Sequence, residues 1–154
     1  MARKRMILPL VAIGIYALSW FLPVHRAGTR IGTHELPGWQ AFRLALFEMW
    51  PRRNIRLTEL IVGLLGPASA LTNFFFLAAA FLLLRRPGAS SPVVKWGLVA
   101  SVTLNLWWFA FGMDIGDLRS GYYLWVASFA MLAVAALRQE PTHEPASPAA
   151  GDPA

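Results

Sequence analysis

Four apolar runs dominate the chain and constrain what it can fold into. They cover residues 6–23, 60–84, 93–112 and 120–137, and Lys95, at the basic edge of the third, is the one charged residue among them. Eighteen residues of helix, the length of the first run, rise about 27 Å, close to a hydrocarbon thickness of about 30 Å. The longer run 60–84 must tilt or protrude. Composition agrees: 56% of the 154 residues are hydrophobic and 14% charged, against about 45–50% and about 25% in soluble domains. The expected fold class is an all-α integral membrane protein with four transmembrane helices.

The punctuation between the runs sets the organisation. Residues 1–5 are a basic N-terminus with Arg3, Lys4 and Arg5. Pro9 falls in the first turn of the first span and Pro23 ends it. A signal peptide is the rival reading, but the apolar stretch is long and His25 stands where a cleavage site wants a small residue. Residues 24–59 form a long outer loop. Gly66 and Pro67 should kink the second span. A basic loop, 85–92, leads to Ser91-Pro92, a good helix start. A short outer loop, 113–119, carries Asp114 and Asp117. The tail, 138–154, rich in proline and without large apolar residues, reads as disordered.

Inside the long loop, residues 37–50 read as an amphipathic helix lying on the membrane. Trp39, Phe42, Leu46, Phe47 and Trp50 share one broad face, and Gln40, Arg43 and Glu48 forbid a crossing. Thr33 or Glu35 is the expected cap, and Pro51 the stop. Trp39, Phe42 and Trp50 are therefore candidate lid or interface residues. Arg52, Arg53 and Arg56 are candidate contacts to anionic lipid headgroups or to Asp114 and Asp117.

Positive charge divides seven against seven between the two sides of the proposed membrane. Density breaks the tie, because the loop around residues 85–95 holds three positives and no acid. Both termini are placed in the cytoplasm. Of the seven tryptophans, all but Trp96 lie towards the long loop. The abundance of Arg, Ala, Gly and Pro suggests a GC-rich bacterial genome, and hence a bacterial inner membrane.

Several function classes drop out. There is no cysteine, so disulfide, thiolate-metal and thiol redox chemistry are absent. The layout resembles that of the claudin-like tetraspan proteins in topology alone, since claudins need a cysteine pair in the first loop. The net charge of +6 flanks apolar runs rather than forming a nucleic-acid patch. His25, His34 and Glu35 are too scattered in sequence for a metal site to be expected. No cofactor and no catalytic residues are expected, because no acid, base and nucleophile converge.

The spans do carry small and polar stripes: Gly63, Gly66, Ala70 and Asn73 in the second, and Gly97, Ser101, Asn105, Trp108 and Gly112 in the third. Rise per residue puts Asn73 and Asn105 at nearly one depth, so they should face each other, with Ser128 near. Asn73, Asn105, Trp108 and Ser128 are thus a candidate ligand floor or packing core. Trp20, Phe21, Trp39, Trp50, Trp107, Trp108, Tyr122 and Trp125 could form an aromatic chamber above it. Leu36-Pro37-Gly38-Trp39 and Gly121-Tyr122-Tyr123-Leu124-Trp125 stand out as short signatures without an attached function. The favoured expectation is a non-enzymatic accessory, scaffold or assembly subunit touching lipid or a membrane-protein partner through its outer loop. The alternative is a binder or transporter of a hydrophobic small molecule or lipid, held in a cavity under the loop helix. Tight packing favours the first, and a large cavity at Asn73, Asn105 and Trp108 the second.

Overall fold

The computed structural model describes residues 2–29, 32–47, 57–86, 90–107 and 118–139. Among them the chain is mostly helical. Helix α1 spans Ala2–Ser19, α2 Gly38–Phe47, α3 Leu57–Arg85, α4 Pro92–Asn105 and α5 Ser120–Leu137. Two strands, β1 (Pro23–Thr29) and β2 (Gly32–Pro37), precede α2. Two helical segments are long and apolar enough to cross a membrane, Gly63–Arg85 with 23 residues and Ser120–Leu137 with 18. Met6–Ser19 is apolar but shorter, and α4 has 14 residues before its cap at Leu106.

The long helices alternate in direction. Lys95, near the start of α4, donates through Nζ to the Gln139 carbonyl just beyond α5, at 2.6 Å. At the other end of both helices the Tyr122 hydroxyl donates to the Asn105 carbonyl, at 2.7 Å. The start of α4 is built as expected, with Pro92 in the first turn and the Ser91 hydroxyl accepting from the Val94 amide. Towards the basic end the helices close on large side chains. Phe76, Leu83, Leu98, Phe129 and Leu132 are all below 2% exposed, and Tyr16 stacks on Phe76 with ring centroids 4.3 Å apart.

Several details differ from the sequence reading. Helix α1 begins at Ala2 and stops at Ser19, so Pro9 lies inside it rather than in its first turn, and the first run does not continue helical to Pro23. The chain instead turns at residues 20–22 and enters an antiparallel hairpin, with Arg26 opposite Glu35 and Ala27 opposite His34. This hairpin interrupts the expected all-α plan. Pro67 lies inside α3, as the sequence placed it.

Candidate functional site

The hairpin and α2 roof over one end of the helix assembly. Their attachment depends on two glycines. A Cβ on Gly38 would lie 2.5 Å from the Ser19 carbonyl oxygen, and one on Gly121 would lie 2.7 Å from the carbonyl oxygens of Leu22 and Pro23. Both helix starts therefore press directly on the backbone that leaves α1. The α2 amides of Gly38 and Trp39 donate to the carbonyls of Leu22 and Trp20, at 3.1 and 3.2 Å. These backbone acceptors satisfy donors that a helix N-terminus otherwise leaves open. The expected cap from Glu35 is not used, because its carboxylate lies 3.3 Å from Arg119 Nε, at the start of α5. A bridge between His25 and Leu118 ties β1 to the same place.

Helix α2 presents a different face from the one its large residues suggested. Gly38, Ala41, Phe42, Leu44 and Ala45 look inward. Trp39, Arg43 and Phe47, spaced four apart, are exposed. The aromatic face is thus divided: Phe42 packs on Trp20 and Phe74, with centroids 5.2 and 6.1 Å away, while Trp39 is 46% and Phe47 71% exposed. Small residues on the inner face let the helix backbone come close, and they leave empty space.

That space is a cavity of about 270 Å³, bounded by α2, β1, the end of α1, Gly66 to Asn73 of α3 and the start of α5. Its wall is mainly apolar, with Trp20, Phe42, Leu36, Val24, Leu44 and Leu118 among its members. The polar wall residues already have partners in the protein. The Asn73 Oδ1 accepts from the Tyr16 hydroxyl at 3.0 Å and from the Trp125 indole at 2.9 Å, and its Nδ2 donates to the Ala70 carbonyl at 2.8 Å. An indole N–H only donates, which fixes the orientation of this amide. The Ser69 hydroxyl donates to Asn105 Oδ1 at 2.7 Å, and the Ser19 hydroxyl to the Tyr16 carbonyl at 2.7 Å.

One wall residue is different. His25 Nδ1 is buried and has no hydrogen-bond partner, and it is the one such side-chain atom that belongs to a cavity-lining residue among the described residues. Leaving a buried polar atom unsatisfied costs about 1–3 kcal/mol.

The two asparagines do not pair with each other. Asn73 joins α3 to α1 and α5. Asn105 joins α4 to the neighbouring side of α3: its Nδ2 donates to the Thr72 hydroxyl at 3.2 Å, and that hydroxyl donates in turn to the Ser69 carbonyl at 2.6 Å. Equal depth does not fix azimuth, because each residue turns a helix by about 100°. Thr72 and Asn73 therefore serve different neighbours. Ser128 is fully buried but bonds its own helix, donating to the Trp125 carbonyl at 2.6 Å, and does not join the Asn73 cluster. Asn73 lines the cavity and Asn105 does not.

Of the expected aromatic chamber, Trp20, Tyr122 and Trp125 line the cavity, Phe21 is 78% exposed, and Trp107 is buried elsewhere. Trp50, Trp108, Arg52, Arg53, Arg56, Asp114 and Asp117 lie outside the described residues. Among the described residues no three metal-ligating side chains converge.

No protein-family model matches the chain, and no curated protein or solved structure does.

Sequence reasoning passed over Tyr16, Ser69 and Thr72, and it weighed His25 only as a metal ligand, not as a wall residue. The first three had a readable signal, being polar side chains at depth in uncharged runs. His25 had none, since its place on the wall depends on the hairpin.

Proposed function

We propose that the protein binds a small, largely apolar molecule in the cavity under α2, within a four-helix membrane bundle whose α1, α3, α4 and α5 cross a bacterial inner membrane. Both termini are cytoplasmic in this reading, and the cavity opens at the outer side. The observation that carries it is the cavity itself, a hollow of about 270 Å³ beside a closely packed core. At about 30 Å³ per water-sized group, it holds roughly nine non-hydrogen atoms. That is a compact molecule or one end of a lipid, at the lower edge of ligand-pocket size. The protein binds rather than transforms, because the described wall has no carboxylate, lysine or arginine to act with His25.

Membrane insertion is supported by apolar side chains left on the outside. Leu10, Leu18, Leu64, Leu71, Leu77, Phe81, Val93 and Val134 are each at least 40% exposed, as lipid-facing residues are and as a water-facing surface rarely is. A second reading is an accessory or scaffold role, favoured by the exposed stripe of Trp39, Arg43 and Phe47, which a membrane-protein partner or the lipid surface would cover. Arg52, Arg53 and Arg56 follow α2 and suit lipid headgroups there.

Binding is testable through Trp20 and Trp125. Quenching of their fluorescence by 4-bromotoluene should saturate in the folded protein, and Ala45→Phe, which plugs the cavity, should abolish saturation while leaving the unfolding temperature within a few degrees. A folded wild type that shows no saturable quenching would refute the reading. Tags at each terminus, probed in intact cells, test the orientation; a C-terminus found outside reverses it.

A further inference from the structure

We propose that this cavity is filled from the side: an uncharged hydrocarbon segment passes into it from the bilayer between α1 and α3, through a gate made of the Trp20, Phe42 and Phe74 rings. The inference rests on the cavity being a binding site in a membrane-embedded bundle.

The wall fixes the chemistry of the guest. No Asp, Glu, Lys or Arg is among the described lining residues. A carboxylate, phosphate or ammonium would lose its hydration there without a counter-charge, which is strongly unfavourable. Hydrogen-bonding groups are scarcely on offer either. Ser19, Ser69, Asn73, Tyr122 and Trp125 bond within the protein, and His25 Nδ1 is enclosed with no reachable surface. The surface facing the space is almost all carbon. A hydrocarbon is the guest that such a wall accepts without leaving a polar group unsatisfied.

The gate is read from three rings in a row. Trp20, just past the end of α1, and Phe42, on α2, both line the cavity. Their centroids are 5.2 Å apart. Phe42 then meets Phe74 of α3 edge to face, at 6.1 Å. Phe74 does not line the cavity, and it is 57% exposed. The row therefore runs from the cavity to the outer surface of α3, where Leu71 and Leu77 are exposed as well. In the membrane that surface meets lipid chains.

Deeper in the same seam the closure is of another kind. Tyr16 of α1 donates to Asn73 at 3.0 Å and stacks on Phe76 at 4.3 Å, all three side chains being buried. This clasp holds α1 against α3. The phenyl rings of Phe42 and Phe74 have no hydrogen-bonding group to lock them, and exposed side chains change rotamer within nanoseconds. Rotation of these rings opens the row while the clasp keeps the helices together.

The full chain in phosphatidylcholine nanodiscs is tested with 4-fluorotoluene by fluorine NMR exchange spectroscopy, which reads occupancy and exchange rates together. Phe74→Ala should raise entry and exit rates in parallel, roughly two- to tenfold, the range that one lost ring pair supplies. Its Kd should stay unchanged, since Phe74 lies off the wall. Phe81→Ala, at a similarly exposed ring of α3 outside the row, should leave both rates as in the wild type. Phe74→Leu serves if the alanine variant does not fold, with the same direction expected. 4-Fluorophenol, with hydroxyl in place of methyl, should bind roughly tenfold more weakly after correction for partition.

Unchanged rates in a folded Phe74 variant would overturn the gate and leave cavity binding standing. Equal or tighter binding of the phenol would overturn the hydrocarbon assignment. A folded wild type that binds neither probe would refute the binding site itself. A phosphatidylcholine with a diazirine in one acyl chain identifies the source of the guest. Photolabels on Ala41, Ala45 or Ala70 that vanish in Ala45→Phe, while labels on Leu71 persist, would identify a lipid chain. Labels confined to exposed residues, with 4-fluorotoluene still bound, would identify a free hydrocarbon delivered by the bilayer.

Discussion

The two ends of the same helices are built on opposite principles. Towards the basic end, Phe76, Leu83, Leu98, Phe129 and Leu132 interlock with almost no exposure, and rings stack at 4.3 to 4.7 Å between centroids. Towards the roofed end, the facing positions are Gly66, Ala70, Ala41 and Ala45. Small residues there bring backbones to the rim without filling the middle. Polar groups differ in kind: the cavity half joins Ser69, Thr72, Asn73 and Asn105 to other elements by side chain–side chain hydrogen bonds, whereas at the basic end the buried Ser90 and the Lys95 ammonium donate to backbone carbonyls. One end thus provides cohesion and the other keeps its shape while empty.

The sharpest way to break this contrast is to exchange volume between the halves. Phe76→Ala opens a void in the packed end and should cost about 3–5 kcal/mol. Ala70→Leu adds bulk at the cavity and should cost less than about 1.5 kcal/mol, since space is there to receive it. Reversible unfolding in mixed micelles measures both. Similar losses would mean that the two ends are packed alike.

A smaller effect tests whether the polar groups form separate units. Asn73→Leu and Asn105→Leu should each destabilise by about 0.6–2 kcal/mol. The double variant should be additive within about 0.5 kcal/mol, because the two side chains share no partner. Asn105→Leu with Thr72→Val should instead be strongly coupled. Coupling between the two asparagines and additivity in the second pair would reverse the assignment.

The smallest effect concerns the roof's polar clasp. Glu35 is 55% and Arg119 28% exposed at the side chain, so Glu35→Gln should cost at most about 1 kcal/mol, and less in high salt. A salt-independent loss of several kcal/mol would show that the clasp is shielded.

Sequence and structure agree best where one physical effect dominates. The uncharged runs at 60–84 and 120–137 lie within α3 and α5 because length and hydropathy together leave little else. Helix α2 was legible from Pro37 at its entry and from its dense apolar content. The hairpin was not, because Val24-His25-Arg26-Ala27-Gly28 and Thr33-His34-Glu35 lack the β-branched alternation that announces strands. Its pairing is carried by backbone and by what it rests on. The inner face of α2 was also hidden. Large aromatics on one arc suggested burial there, but Gly38 and Ala45 can approach the neighbouring backbone and Trp39 cannot. For Asn73 and Asn105, depth was readable from residue counts, whereas azimuth depends on how α1, α4 and α5 pack around α3.

The two close glycines have a consequence for biogenesis. Gly38 meets the segment leaving α1 only some eighteen residues along the chain, whereas Gly121 meets the same segment about a hundred residues later. Synthesis runs from the N-terminus, so the roof can settle on α1 early, but Leu118, Tyr122 and Trp125 do not exist until the final helix emerges. Until then Asn73 also lacks its indole donor. The chamber is thus a product of completion: a nascent chain that has not yet docked α5 lacks the wall that Leu118, Tyr122 and Trp125 supply.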